Sequence, residues 1–314
     1  MENALILFTR LSSMFLIALV GYFIAKRKML NKDQRSGLSL LLNRISLPAL
    51  IIVSIARMQL SSDMLINSLY VLIGYCIVYF INYFIFAFIA KKEKMEHFER
   101  SVFLNGGIHG NVAFLGFPLL IAVFGEAGLF YGTIYFMYDN VSMSSIGMTR
   151  FKREYDKESS LAPVTIALII GVILMIIQNL LPIDILNNPI INATSDIGSL
   201  TTPIAFLFVG MIVNDYKIKD LIKNTNALKI ILLKMIVVPI VLMFAFTLVQ
   251  SVVPLVIIKV VIVLAMTPPF ASLLSMANEY QKDMDMASSA VVLGHICSIV
   301  TIPILFMILN LIYT

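Results

Sequence analysis

This chain is short of charge. Asp, Glu, Lys and Arg make up 13% of its 314 residues, where a soluble domain carries about 25%, so there is too little polar surface to cover a water-soluble globule. It has no tryptophan, which leaves the interfacial aromatic role to tyrosine. Its two cysteines, Cys76 and Cys297, both fall inside apolar runs and make neither a disulfide framework nor a metal site. The three histidines, His97, His109 and His295, lack metal-ligand spacing, and His97 falls in a loop by this reading. HExxH, GxSxG and P-loop signatures are missing, which speaks against a membrane enzyme and against direct drive by ATP. The net charge of +5 reads as membrane topology, with no nucleic acid as partner.

What the chain has is apolar length. Ten runs, at 5–25, 37–57, 65–90, 101–124, 127–149, 161–181, 193–213, 227–250, 255–278 and 285–312, approach the roughly 20 residues that cross a hydrocarbon core of about 30 Å as helix. The first is no secretory signal, since it lacks a basic start and a small-residue cleavage site. Basic residues alternate between the connections. Lys26, Arg27, Lys28, Lys32 and Arg35 follow the first span, and Lys91, Lys92, Lys94 and Arg100 follow the third. Arg150, Lys152, Arg153 and Lys157 follow the fifth, Lys217, Lys219 and Lys223 the seventh, and Lys282 the ninth. The positive-inside rule then places these loops in the cytoplasm and both termini outside.

The spans read as one unit written twice. A shift of about 155 residues lays the first five on the last five, with Pro48 of "SLPAL" over Pro203 of "TTPIA". Five is odd, so the second copy enters the membrane inverted, as in many secondary transporters. The expectation is an all-α membrane protein of ten transmembrane helices in two inverted five-helix repeats, 1–157 and 158–314.

Both copies carry an interruption in their fourth helix. "NGGIHGNVAFLGFP" at 105–118 is rich in glycine and asparagine, and Thr267, Pro268 and Pro269 break the ninth span. Proline removes a donor and glycine tolerates unusual dihedrals. Unwound backbone is tolerated in hydrocarbon only where it lines a cavity. Two broken helices crossing there aim amide ends at a shared pocket, and such ends attract anions. The expected ligand is a small organic anion, with Asn105, Asn111 and Thr267 as hydrogen-bonding side chains and His109 as a further donor. Close helix approach is the other reading of Gly106, Gly107 and Gly110, at even weight.

Ionisable groups at membrane depth are the remaining candidates. Asp139 lies about 18 Å into the fifth span at a rise of about 1.5 Å per residue, and the repeat offset brings His295 over it. Asp139 can take up a proton or bind a cation; His295 can titrate, or sit neutral on a backbone carbonyl. Lys234 reaches for water, for Asp139 or for substrate, while Arg10 snorkels, with anion recognition as its second reading, and Lys259 anchors at an interface. The methionines serve as packing.

The segments "GNVAFLGFPLLIAVFGEAGL", "LLNRISLPALI", "LKMIVVP" and "TPPFASLLSMANEY", in this order and spacing, resemble the auxin efflux carrier family, which includes bacterial malate and malonate permeases and the plant auxin exporters. The resemblance spans essentially the whole chain and implies a carrier related in fold to the bile acid sodium symporters, working by an elevator motion. It implies a dimerising scaffold (5–57 and 161–213) and a moving domain (65–149 and 227–312). Asn111, with Val112 beside it, and Pro118 match the fourth-helix crossover, and Pro268 or Pro269 the ninth. The long cytoplasmic loop and the asparagine-proline-asparagine crossover of the plant exporters are missing, which speaks against auxin as cargo. The implied protein is a homodimer in the cytoplasmic membrane, without cofactor, coupled to H+ or Na+ if it is coupled. A membrane sensor that keeps a carrier fold is the alternative.

Overall fold

A computed structural model describes residues 2–59, 61–151, 163–181, 185–215 and 218–313. Among these there is no β-strand, only one isolated bridge between Gly110 and Pro269. Lys152, Arg153, Lys157 and Lys217, together with the boundary between the two expected repeats, lie outside the described residues, as does the Arg10 side chain.

The main helices are α1 (Glu2–Lys26), α2 (Asp33–Ala56), α3 (Ser62–Lys92), α4 (His97–Ile108), α5 (Val112–Phe151), α6 (Pro163–Leu180), α7 (Pro189–Asn214), α8 (Thr225–Val249), α9 (Leu255–Ala265), α10 (Leu273–Glu279) and α11 (Met284–Ile312). Of these, α2, α3, α5, α7, α8 and α11 are long and apolar enough to cross a membrane. Their starts are written locally. Asn31, Ser61, Asn188, Asn224 and Asp283 each accept a hydrogen bond from an amide of the first turn, which supplies a partner for a donor that helix geometry leaves unpaired. Large apolar side chains such as Leu65, Phe80, Phe84 and Phe88 of α3 remain exposed, as expected of helices whose solvent is lipid.

At 40 residues, α5 would reach about 60 Å if straight, twice a bilayer core. It is not straight. Gly125 adopts φ 64 and ψ −149, a region open to glycine and strained for other residues. The chain there folds back, bringing the rings of Phe117 and Phe136 to 5.4 Å between centroids. This separates the spans expected at 101–124 and 127–149.

Proline also leaves a regular mark. Of the four wide π turns among the described residues, three, at Leu42–Ser46, Val112–Gly116 and Leu233–Val237, end two residues before a proline, Pro48, Pro118 and Pro239, while the fourth, Met143–Gly147, has none at that place. A proline ring clashes with the carbonyl four residues back and offers it no donor, and a wider turn relieves both.

His97, expected in a loop, instead opens α4, which begins four residues before the apolar run. The Arg100 amide bonds to Glu96 O at 2.8 Å and the Ser101 hydroxyl to His97 O at 2.6 Å, so the polar turn is held as helix without hydrophobic periodicity. The elements pack in two groups: α1 lies along α7 and α2 along α6 and α7, while α3, α4, α5, α8, α9, α10 and α11 pack mainly among themselves.

Candidate functional site

The site forms where two helices stop. Helix α4 ends at Ile108, His109 is extended (φ −92, ψ 134), and helical geometry resumes after Asn111 (φ −79, ψ 62). Helix α9 ends at Ala265, and Thr267–Ser272 carries the chain to α10. The two gaps pair. The Asn111 amide donates to Pro268 O at 2.7 Å beside the Gly110–Pro269 bridge, so backbone that leaves the helix finds a partner in the other gap. Gly110 permits this, because a Cβ there would overlap the Thr267 hydroxyl. The flanking glycines act otherwise. Gly106 and Gly107 sit within α4, and a Cβ on Gly107 would lie 2.5 Å from the Phe86 ring, so these two serve close packing.

Asn111 is anchored at both ends of its side chain. Its Oδ1 accepts from the Phe114 amide at 3.3 Å, capping α5, and its Nδ2 donates to His295 Nε2 at 2.7 Å. His295 Nδ1 lies 2.7 Å from Val291 O, and a carbonyl can only accept. His295 is therefore the Nδ1–H tautomer, with a lone pair on Nε2 for Asn111. The backbone-bonded neutral histidine and the link to the crossover are the same arrangement.

On the other side of the gap His109, 1% exposed, places Nδ1 2.8 Å from Oδ1 of Asp139, itself 7% exposed. The rings of Tyr79 and Phe270 flank the imidazole. Lys234, 2% exposed, sends Nζ from the wide turn of α8 to Ile108 O at 3.3 Å. A cation at the carboxyl end of α4 offsets the partial negative charge of its last carbonyls. It reaches neither water nor a direct pairing with Asp139.

A cavity of about 310 Å³ opens between these residues and α2. His109, Asn111 and Asp139 line it, together with Asn43 and Arg44 of α2. Val112 also lines it. Asn105, Pro118, Thr267, Lys234 and His295 do not. The Asn105 amide donates to Ser101 O (2.9 Å) and Gly147 O (3.3 Å) and its oxygen accepts from Arg150 (3.2 Å), fastening α4 to the end of α5. Thr267 donates to Leu264 O at 2.6 Å, finishing α9. Pro118 is buried in the first turn after the wide segment. Lys259 donates to Asn310 of α11 at 3.1 Å.

Arg44 was missed by the sequence reading, as were Asn43 and Asn140. The signal was present: Arg44 is a cation inside the run 37–57, and an intramembrane cation is a functional candidate by default. Among the described residues no carboxylate pairs with it.

Comparison with known proteins adds one finding. No curated protein matches the chain. A family model described as membrane transport protein matches residues 6–160 and 148–306, nearly the whole length. The members of that family are transporters rather than enzymes. Interrupted helices beside a polar cavity, in a chain of helices with apolar outer faces, are what that match leads one to expect. The chain belongs to this family of membrane transport proteins, the auxin efflux carriers.

Proposed function

We propose that the protein is a secondary carrier of a small organic anion, malate or malonate, across the cytoplasmic membrane. The observation that carries the reading is the pairing of the two helix gaps, through Asn111 N and Pro268 O, beside a cavity lined by Asn111, His109, Asp139 and Arg44; Pro268 and Pro269 do not line it. Irregular backbone in a membrane is tolerated where it borders such a space, and at about 310 Å³ the space is at the small end for a ligand pocket. Arg44 gives it a fixed positive charge, which favours a carboxylate.

In this reading the chain is ten transmembrane helices in two inverted repeats, with the fourth and ninth broken and crossing. The α1, α2, α6 and α7 group is the scaffold and supplies the homodimer contact; the remaining helices move against it as an elevator. The packing of α1 on α7 and of α2 on α6 and α7 supports that division. The cavity reaches Pro163 at the start of α6 and Met276 near the end of α10, both toward the lysine- and arginine-rich connections, so it faces the cytoplasm by the positive-inside rule. Both termini are then extracytoplasmic. Coupling to H+ runs through Asp139 and the groups around it.

The test is transport by the purified protein in liposomes, with labelled malate and malonate and with imposed proton or sodium gradients. Saturable uptake that falls at least tenfold in Asn111→Ala supports the carrier. Binding without flux turns the reading toward a sensor, and neither binding nor flux removes it.

A further inference from the structure

One buried polar atom of a cavity-lining residue has no partner. His109 Nε2 is buried and unbonded among the described residues, and the residue faces the cavity. A buried nitrogen left unsatisfied is costly, so it points to something that arrives. The other nitrogen decides what can arrive. A single proton occupies the contact between Nδ1 and Asp139 Oδ1, since two bare acceptors would repel. With that proton alone, Nε2 carries a lone pair and accepts only. One more proton makes Nε2–H a donor. This holds whether the pair is an imidazolium beside a carboxylate or a neutral imidazole accepting from a carboxylic acid, because the proton belongs to the pair. A carboxylate has no hydrogen to give, so it bonds Nε2 only after that proton has come.

We propose that His109 and Asp139 form a joint site for one proton and the transported anion: the pair takes up a proton, and the resulting Nε2–H donates to a carboxylate oxygen of the ligand. The inference rests on the anion-carrier reading and adds the atom at which coupling occurs. The added proton comes from water as the anion enters and returns as it leaves, with no other bond changed. Because each partner raises the affinity of the other equally, gradient coupling follows from binding alone. Arg44, which lines the same cavity, attracts the anion in both states, since guanidinium keeps its charge.

The charged and titratable groups around the pair have other engagements. Tyr79 of α3 packs on His109 and accepts from Arg150 at 3.3 Å. Tyr75 of α3, bonded to Ser142, and Tyr135 of α5 stand beside Asp139. Lys234 of α8 faces the pair while donating to Ile108 O. His295 of α11 has both nitrogens bonded. From α10 and the segment before it, Phe270, Ser272 and Met276 line the cavity without charge.

Calorimetric titration of the protein in lipid nanodiscs with malonate, from pH 5.5 to 8.5 in two buffers of different ionisation enthalpy, counts the protons. The expected result is about one proton taken up per malonate at the alkaline end and an apparent Kd that rises toward tenfold per pH unit there. His109→Gln offers a neutral amide donor near the same place; it should bind malonate with a flat pH profile and no uptake. A proton still taken up in His109→Gln is bound by malonate itself or by another group and overturns the assignment. Wild-type binding with a flat profile and no uptake also overturns it, without needing the variant to fold, and leaves the carrier reading standing. No binding of malonate or malate at any pH removes both.

Discussion

The two helix gaps pair with each other and do different work. The first, at 109–111, brings side chains: Asn111 to His295, and His109 to Asp139. The second, at 266–272, brings mainly shape: Thr267 bonds its own helix, Pro268 contributes a backbone carbonyl, and the side chains it places at the cavity, Phe270 and Ser272, carry no charge. Proline fits that task because it ends a helix without leaving an amide to satisfy. Two interruptions that pair with each other thus need not be chemically equivalent. Selectivity and coupling are expected to follow the first gap, and its seating to follow the second.

The sharpest way to break this comparison is at the contact between the gaps. Gly110→Ala pushes a methyl group into the Thr267 oxygen, which is tied to Leu264 O. The expected loss of stability is about 3 kcal/mol, the upper end for overpacking, read by denaturant unfolding in detergent. In a Thr267→Ala background the same change should recover at least about 1 kcal/mol, a coupling typical of touching residues. Full additivity would show that the tight point lies elsewhere.

Much of this architecture could be read before any coordinates, and the parts that could not have physical reasons. The apolar runs placed the helices because lipid demands length and hydrophobicity, and α4 escaped only at its polar first turn around His97. Asn111, His109 and Asp139 stood out as polar groups in apolar surroundings. That His109 meets Asp139 across 30 positions was not legible, because the hairpin at Gly125 decides which faces meet. Asn105 and Thr267 looked equally available. A side chain one or two turns from a break can bond back to its own helix, and sequence does not show which choice it makes. Arg44 was hidden by its neighbours: it precedes Pro48 by four residues, inside the wide turn that the proline imposes.

A second, smaller effect separates the roles of Asn111. Asn111→Ala removes the cap of α5, worth about 1 kcal/mol, and leaves the His295 lone pair without its donor, for a total of about 2 kcal/mol. Adding His295→Leu removes the orphaned nitrogen, so the double variant should be more stable than the sum of the two single changes predicts. Simple additivity in chemical unfolding would mean that the Asn111–His295 bond contributes little.

The smallest effect is expected where the sequence pattern is most conspicuous, at the paired prolines. The bridge between Gly110 and Pro269 is flanked by the bond from Asn111 N to Pro268 O, the pattern in which the facing residues do not bond each other. The nitrogen of residue 269 therefore points away from Gly110, and its ring carbon Cδ stands 3.0 Å from where a Cβ on Gly294 of α11 would be. Pro269→Ala restores an N–H aimed at packed side chains, for a loss of about 1 kcal/mol, and leaves the Pro268 carbonyl in place. Anion uptake should stay within about twofold of wild type, against the tenfold or greater loss expected for Asn111→Ala. Were Pro269→Ala to abolish uptake while its melting temperature barely moved, the second gap would be taking part in recognition, and the division between chemistry and shape would fail at that residue.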